Sequence, residues 1–316
     1  MARVVVANGF GGPEVLSMVE RPVRDPGPGE VTIRVRAVGV NPLDYVEYSG
    51  ALGTDRGALP LPVGHELAGV VTAVGAGAAG RIRPGDEVIA YHREVPGAYA
   101  SEVTWPAEVV VPKPVNLGWE QAAGLLLVGT TAVHALTATG VGDGDTVLIH
   151  GVSGGVGLVT AQLARLRGAA VIGTAGRARH EMLRGYGVEP VEYGPGLADR
   201  VRDSAGTRSV DAAIDAVGTD EAIDTSLALV ADRARIATLL AFQRGNDAGI
   251  KTLGNLGGAT DPGTEIRADA RARLVSLAEE GKVTISVART FPLAEAPAAH
   301  RLVATGHAGG KVVLLP

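Results

Sequence analysis

A glycine-rich turn between a strand and a helix constrains this chain more than any other feature. The apolar run Val147–His150 leads into Gly-Val-Ser-Gly-Gly-Val-Gly at positions 151–157, and a helix is predicted over Leu158–Arg167. Strand, tight turn and helix in this order begin a βαβ unit, which implies a parallel sheet. The first turn of such a helix presents unpaired amides and the positive end of the helix dipole, and both bind phosphate.

The spacing of these glycines predicts a dinucleotide site. Gly154 would let the backbone approach a pyrophosphate, and Gly157 would let the helix pack on the strand. In the G-x-G-x-x-G register of such sites, Val152 occupies the first glycine position, so the fingerprint is imperfect. The residues of the turn that we predict to contact the cofactor are Ser153, Gly154, Gly155, Val156 and Gly157.

Two other interpretations of the turn remain open at this point. The letters Gly-Val-Ser-Gly-Gly also match the G-x-S-x-G nucleophile elbow of α/β-hydrolases, with Ser153 as nucleophile. Asp215, followed by His300 or His307, comes in the chain order that such a triad needs. Alternatively, the glycines serve only tight packing. The two further glycines at 155 and 157 favour phosphate binding over both alternatives.

The end of the next predicted strand bears on which dinucleotide binds. NAD sites usually carry an acidic residue there to hold the ribose hydroxyls, but Ala175 fills that position. Arginines follow at once and suit a 2′-phosphate, although they could equally belong to a solvated helix start. NADPH is therefore the predicted cofactor. Its predicted contacts in this segment are Thr174, Gly176, Arg177 and Arg179.

The sequence pattern of the chain changes near residue 115. Before it, short β-rich runs such as Val31–Val38 alternate with Gly and Pro clusters, which predicts a mostly antiparallel, barrel-like unit. After it, an Ala- and Leu-rich helix over Glu120–Thr139 precedes alternating strands and helices, which predict a parallel sheet. The tail returns to short strands, including Lys311–Leu315, and we expect it to rejoin the first unit.

Composition excludes several classes of chemistry. The 316 residues contain no cysteine, so disulfides, thiolate nucleophiles and cysteine-ligated metals are impossible. The seven histidines form no HExxH or HxH spacing, and we expect no metal. A formal net charge of −5 gives no reason to expect nucleic acid as a partner. Without a signal peptide or a long uncharged apolar run, we expect a cytoplasmic protein with no membrane contact.

Several segments spread over nearly the whole chain resemble medium-chain dehydrogenases/reductases, specifically the zinc-free quinone oxidoreductase (ζ-crystallin-like) family. They include Gly39-Val-Asn-Pro-Leu-Asp at 39–44, Gly85-Asp-Glu-Val at 85–88, the turn at 147–157 and Gly309-Gly-Lys-Val-Val-Leu at 309–314. The resemblance implies an α/β fold in two parts. A GroES-like β-barrel-type catalytic domain would comprise residues 1–118 and 261–316. A Rossmann domain, a doubly wound parallel sheet that binds NADP(H), would comprise residues 119–260.

The resemblance also bears on zinc. Zinc-dependent relatives carry cysteines near the positions of Asn41 and Leu127, and neither is a cysteine here. The Gly64-His65-Glu66 segment is retained, unlike in many zinc-free relatives, but one histidine and one glutamate make a poor zinc site.

Other roles follow only from the resemblance. Asn41 would face the nicotinamide end of the cofactor, Thr131 would support the cofactor, and Lys311 would lie near the cleft. Tyr193 would lie beside the adenosine phosphate. Two tyrosines of the same stretch are candidate proton donors, so the predicted catalytic residues are Asn41, Tyr45, Tyr48 and Thr131. Relatives often pair the edge strands of their nucleotide domains, and we expect a homodimer.

Four functional hypotheses result. The first is an enzyme that transfers hydride from NADPH to a small quinone or an α,β-unsaturated carbonyl without zinc, because such acceptors need little more than alignment and hydrogen bonds. The second is an enoyl-thioester reductase of the same superfamily. The third is a serine hydrolase that uses Ser153. The fourth is a non-catalytic NADPH-binding protein.

Overall fold

The computed structural model describes residues 1–78, 80–94, 96–254, 261 and 263–316. These residues divide into two compact units, the first formed by Met1–Leu127 with Arg271–Pro316 and the second by Val128–Ala270. The domain boundaries predicted from the sequence, 118/119 and 260/261, remain a prediction. Residues 255–260, on which the second of these boundaries falls, lie outside the described residues.

The first unit is built mainly from antiparallel strands, as predicted. Its strands are β1 (Ala2–Ala7), β2 (Leu16–Arg21), β3 (Glu30–Val40), β4 (Leu61–Pro62), β5 (Glu66–Val74), β6 (Glu87–Tyr91), β7 (Glu102–Pro106), β8 (Val110–Pro112), β15 (Val287–Pro292) and β16 (Lys311–Leu315). Its helices are α1 (Pro42–Ser49), α2 (Trp119–Ala122) and α10 (Ala296–Ala304). Helices α3 (Leu126–Ala138) and α9 (Thr264–Glu279) run across the points where the chain passes from one unit to the other.

Strand β3 is the centre of the first unit. It pairs antiparallel with β5, with β7 and with β16 of the C-terminal segment, so the tail rejoins this unit as expected. Its middle alternates exposed Arg34 and Arg36 with buried Val35 and Ala37, the pattern of a strand with one solvated face. One pairing departs from the antiparallel expectation, because β15 runs parallel to β16. The long β3, which ends at Val40, thus fixes the position of Asn41, the next residue in the chain.

The second unit is a parallel sheet in the order β11-β10-β9-β12-β13-β14, which confirms the predicted doubly wound α/β fold. Its strands are β9 (Thr146–His150), β10 (Ala170–Thr174), β11 (Val188–Val191), β12 (Ala212–Asp215), β13 (Ile236–Thr238) and β14 (Lys251–Thr252). Its helices are α4 (Gly155–Leu166), α5 (His180–Gly185), α6 (Leu197–Ala205), α7 (Asp220–Leu229) and α8 (Phe242–Ala248). Every residue of β9 is buried, as expected for a central strand covered on both faces. The strand predicted at Val191–Tyr193 lies slightly earlier.

The helical segment Trp119–Ala138 passes a length and composition test for a membrane span. In the most apolar window of this segment, 78% of the residues are buried inside the protein. Packing in a protein core accounts for its apolar character, because a helix that is hydrophobic on all sides is also typical of a buried core helix.

Candidate functional site

The glycine turn leads directly into helix α4. Gly151 has a φ of 71°, so the tight bend uses this glycine, and the helix starts at Gly155 with Gly154 as its N-cap. A Cβ at position 157 would lie 2.3 Å from the Gly151 carbonyl oxygen, so only glycine allows this close packing of helix on turn. The first turn of α4 contains no acidic residue, and its leading amides have no acceptor within the helix. The geometry fits an anion such as a pyrophosphate.

Val152, which departs from the glycine fingerprint, is accommodated by a second glycine. Its side chain is fully buried. A Cβ on Gly173 of the neighbouring strand β10 would lie 2.5 Å from Val152 Cγ1, so the space for the valine exists because residue 173 is glycine. The backbone of Val152 also donates to the Thr174 carbonyl, at 3.1 Å. The turn is therefore intact despite its imperfect fingerprint.

A chain of buried side chains supports the start of the turn. The Gly151 amide donates to the Thr174 hydroxyl at 3.1 Å, and that hydroxyl lies 3.5 Å from Nδ1 of His150. His150 Nε2 lies 3.1 Å from the Ser226 hydroxyl, which donates to a carbonyl of α7. Burial lowers the pKa of His150, so its ring is neutral and can make both contacts. Thr174 thus acts as a support of the turn in addition to its predicted proximity to the cofactor.

Gly176 and Tyr193, both predicted to contact the cofactor, lie together at the end of β10, and Arg177 and Arg179 belong to the short helical turn that follows. Ala175 is buried, while Arg177 is exposed and pairs with the Glu192 carboxylate at 2.9 Å. A Cβ on Gly176 would lie 3.6 Å from the Tyr193 hydroxyl, so the half-exposed tyrosine covers the end of this strand. Arg179, at the end of the short helix Arg177–Arg179, also has an exposed side chain. An exposed arginine beside an uncharged strand end suits a phosphate ligand better than a ribose diol.

In the first unit, Asn41 belongs to a buried cluster with Glu66 and Lys311. The Asn41 Nδ2 group donates to Glu66 Oε1 at 3.0 Å, and its Oδ1 accepts from Lys311 Nζ at 2.5 Å. Lys311 also pairs with Glu66, and the Leu127 amide donates to Glu66 Oε2 at 2.9 Å. Asn41 and Leu127, the two positions without the cysteines of zinc-dependent relatives, thus both bind Glu66. Lys311 was predicted only to lie near the cleft; it contacts Asn41 directly, and its side chain is only 4% exposed.

The four residues Tyr48, His300, Tyr99 and Asp44 form a buried hydrogen-bond chain. The Tyr48 hydroxyl lies 2.6 Å from His300 Nδ1, and the Tyr99 hydroxyl lies 2.8 Å from His300 Nε2. Tyr99 donates to Asp44 Oδ2 at 2.9 Å, and the Asn41 amide donates to the same oxygen at 2.8 Å. Because Tyr99 gives its proton to Asp44, it must accept from Nε2–H of His300, which leaves Nδ1 to accept from Tyr48. The chain fixes the start of α1 at Asn41.

Burial sets the protonation states of this chain. It raises the pKa of Asp44 to about 6, against the opposing effects of nearby His65 and of the Asn41 amide. It lowers the pKa of His300 to about 4, so the ring is neutral at pH 7. It also raises the pKa of Tyr48. The two predicted tyrosines therefore differ, because the Tyr48 proton points at His300 in the core while Tyr45 is partly exposed and meets the Tyr48 ring edge-on.

His65 is fully buried between two partners. Its Nδ1 lies 2.9 Å from the His92 carbonyl oxygen, and its Nε2 lies 2.8 Å from Oε1 of Glu47 on α1. Burial by itself lowers the pKa of His65, but the Glu47 and Asp44 carboxylates and the His92 carbonyl raise it overall. Glu66, adjacent in sequence, belongs to the other cluster. The retained His-Glu pair is therefore divided between two hydrogen-bond networks.

Thr131 lies on α3 with its hydroxyl bound by a buried arginine. Arg267 Nη1 donates to the Thr131 hydroxyl at 2.7 Å, and Nη2 lies 3.3 Å from Nδ1 of His134. His134 in turn pairs with Asp261 at 3.0 Å. Thr131 is 8% exposed. The structure thus gives Thr131 a cationic neighbour that the sequence did not reveal.

The hydrolase triad is not assembled. Both ring nitrogens of His300 are bound by tyrosines, and the exposed His307 binds the backbone of Thr305. Asp215 accepts from the Val217 and Gly218 amides and, at 2.7 Å, from the Thr238 hydroxyl. The two side chains that would orient and activate Ser153 are thus bound to other partners, which disfavours the serine-hydrolase alternative.

Sequence reasoning missed most partners of the predicted residues. The partners that the sequence did not single out are Glu47, Tyr99, Glu192 and Arg267, while Glu66, His150 and His300 take roles that it did not indicate. Among the described residues, no group of three or more His, Asp or Glu side chains could hold a metal ion.

Comparisons with known proteins agree with this architecture. The alcohol dehydrogenase GroES-like domain family matches residues 27–115, and the zinc-binding dehydrogenase family matches residues 187–314. A quinone oxidoreductase from Pseudomonas aeruginosa is 35% identical over the full length of both chains. A 2-haloacrylate reductase from Burkholderia sp. is 34% identical over 100% of this chain and 99% of its own.

A solved mycobacterial structure complexed with NADPH is 33% identical, has a TM-score of 0.84 and is covered over 100% of both chains. The likeness in sequence and in fold extends from end to end. This chain belongs to the quinone oxidoreductase family of medium-chain dehydrogenases/reductases, and it is an oxidoreductase.

Proposed function

We propose that this protein transfers a hydride from NADPH to a quinone or an α,β-unsaturated carbonyl, and that it does so without zinc. The observation that carries this proposal is the glycine turn at 151–157, which opens helix α4 beside an exposed arginine at the end of the next strand. A nicotinamide cofactor supplies the hydride when bound. The remaining task of the protein is to orient its reactants and to exclude water.

Three features favour NADPH over NADH. The strand end at Ala175 lacks the carboxylate that would bind a ribose diol and repel a phosphate. Arg177 is 82% exposed and free to turn toward a 2′-phosphate if it exchanges Glu192 for the ligand. The mycobacterial relative was solved with NADPH. In this proposal residues 153–157 line the pyrophosphate, which accepts from the leading amides of α4, and Arg177, Arg179 and Tyr193 surround the 2′-phosphate.

The hydrogen bonds of the first unit support a mechanism without zinc. Neither Asn41 nor Leu127 offers a thiolate, and both bind Glu66 instead. His65 Nε2, the atom that could ligate a metal, is bound to Glu47. The Lys311 ammonium also pairs with the Glu66 carboxylate, so this buried negative charge is balanced without a metal cation. We assign Asn41 and Thr131 to the nicotinamide end, each held by a buried cation, Lys311 and Arg267 respectively.

The names of the relatives favour an activated acceptor. Quinones and haloacrylates both contain a carbon–carbon double bond conjugated to a carbonyl or carboxylate. Hydride addition to such a carbon places charge on oxygen, and hydrogen bonds can stabilise it without a Lewis acid. The site therefore needs alignment more than a reactive side chain.

We also infer a cytoplasmic homodimer that pairs at the short edge strand β14.

Consumption of NADPH by the purified protein with simple quinones, α,β-unsaturated ketones and crotonyl thioesters tests this proposal. We expect turnover with quinones and ketones that exceeds turnover with the thioester and persists with a strong chelator present. Preference for the thioester would favour an enoyl-thioester reductase. Tight NADPH binding with no turnover across the panel would indicate a non-catalytic role.

A further inference from the structure

The contact between Glu47 and His65 is a hydrogen bond only if the pair carries one proton more than a neutral imidazole and an ionised carboxylate together hold. Nδ1 of His65 faces the His92 carbonyl oxygen at 2.9 Å, and because a carbonyl only accepts, Nδ1 carries a hydrogen. Nε2 faces Oε1 of Glu47 at 2.8 Å. A neutral ring with Nδ1–H and an ionised carboxylate would place two acceptors against each other. One additional proton therefore lies between the ring and the carboxylate.

The charges that face His65 favour this extra proton. Asp44 and Glu47, both on α1, attract a positive ring, and His92 is the titratable neighbour that opposes it. Together with the His92 carbonyl they raise the pKa of His65 although its side chain is fully buried. The pair thus holds its additional proton more tightly than a free imidazole would, at a ring whose side chain is fully buried.

Glu47 connects this buried proton to the exterior. Its side chain is 27% exposed, whereas that of His65 is 0% exposed. It lies on α1, the helix that begins immediately after Asn41 and also carries Tyr45 and Tyr48. Tyr48 is a poor donor because its own proton is bound to His300. Tyr45 on the same helix is also partly exposed, but its described contact is with the Tyr48 ring, whereas Glu47 shares the additional proton with buried His65.

Resting on the proposed function, we propose that Glu47 is the catalytic proton donor for α,β-unsaturated carbonyls, with His65 as the positioning residue that loads it. Hydride from the nicotinamide forms a bond to the β-carbon, and the electrons of the C=C bond move to give an enolate. The α-carbon then takes the shared proton and becomes a C–H. The pair is left as carboxylate and neutral imidazole, and a proton from water restores it through the exposed edge of Glu47.

Quinones provide an internal comparison. A reduced quinone takes its protons on oxygen, and oxygen exchanges protons with water rapidly without a positioned donor. An enolate carbon is slow to accept a proton, so it depends on a positioned acid. Loss of the donor should therefore reduce ketone turnover far more than quinone turnover.

The test compares the wild type, Glu47→Gln and a matched control, Glu20→Gln, whose carboxylate is exposed on β2. Each protein reduces an α-substituted enone with NADPH in D2O, and NMR locates deuterium on the α-carbon. We expect one face to be labelled by the wild type and the control. For Glu47→Gln we expect turnover of the enone to fall by about a hundredfold, with both faces labelled and quinone turnover close to the wild type.

A second variant guards against misfolding. Glu47→Asp shortens the side chain by one methylene, so the carboxylate keeps its charge but loses its 2.8 Å contact with His65. We expect this variant also to lose facial selectivity. Retained selectivity and enone turnover in Glu47→Gln, or equal losses with quinone and enone in both variants, would overturn the inference and leave the proposed function intact. Failure of the wild type to reduce any acceptor would overturn both.

Discussion

The Tyr48 hydroxyl lies 2.6 Å from Nδ1 of His300, although 252 positions separate the two residues in the chain. This contact joins α1, which follows Asn41, to α10 of the C-terminal segment. Lys311 of the same segment reaches the Asn41 side chain. The C-terminal segment therefore contributes two side chains to the surroundings of Asn41. Lys311 contacts the Asn41 side chain directly. His300 acts through Tyr99 and Asp44, and Asp44 accepts from the Asn41 amide.

Tyr48→Phe should lower the free energy of unfolding by about 1–3 kcal/mol, because it leaves a buried ring nitrogen of His300 without its hydrogen-bond donor. Urea denaturation of the variant and the wild type measures the difference. Tyr45→Phe is the control, since Tyr45 is partly exposed and a surface change typically stays within about 0.5 kcal/mol. Equal stability of all three proteins would show that the Tyr48–His300 contact contributes nothing.

Val152 and Gly173 should be energetically coupled. Gly173→Ala places a methyl group against the buried valine and should cost about 1–3 kcal/mol. Val152→Gly also destabilises, because it removes a buried side chain. The double variant should be more stable than the sum of the single effects by about 1 kcal/mol or more, as thermal or chemical denaturation would reveal. Strict additivity would contradict the packing that we describe.

Arg177 and Glu192 should control cofactor choice. Arg177→Ala should raise the KM for NADPH by about three- to tenfold, since one exposed phosphate contact contributes roughly 1 kcal/mol. Glu192→Gln frees Arg177 from its carboxylate partner, so the KM for NADPH should fall. Steady-state kinetics with both cofactors measures these changes, and NADH serves as the control because it has no 2′-phosphate. A parallel change in KM for NADH would argue against a 2′-phosphate contact.

The stability contributed by His300 should depend on pH in a defined direction. Burial lowers the pKa of His300 to about 4, below the ordinary value near 6.5, so this histidine stabilises the fold above about pH 6.5. The contribution is lost as the pH falls toward 4, because the unfolded chain then binds the proton more readily. In His300→Gln, the dependence of unfolding free energy on pH between 6.5 and 4 should be shallower, by at most about 1.4 kcal/mol per pH unit. Denaturation at several pH values tests this, and an unchanged slope would mean that His300 binds its proton equally well in the folded and the unfolded chain.

Local sequence patterns predicted the frame of this molecule well. The apolar run before Gly151 forms the fully buried β9, as predicted from its own residues. A helix after the glycine turn was also predicted, but it begins at Gly155 rather than at Leu158. The structure then explains the imperfect fingerprint, because Gly173 of the adjacent strand leaves the space that Val152 fills. The tail strand Lys311–Leu315 was predicted with the bounds that the structure shows.

The partners of the site residues could not be predicted in the same way. Glu47 meets His65 and Tyr48 meets His300 only because separate strands and helices bring them together. A single sequence contains no signal for such contacts, since the register of β3 with β5 and β16 decides which side chains face one another. The sequence therefore indicated which segments matter, while the protonation states of the site depend on tertiary contacts.

Transfer of deuterium from NADPH labelled at the C4 position of the nicotinamide tests the central proposal most directly. The protein, stripped of metals with a chelator, would reduce an α,β-unsaturated ketone with this cofactor in ordinary water. Direct hydride transfer predicts a product with deuterium on the β-carbon. A product whose β-hydrogen comes from water, or no product without added metal, would contradict the account.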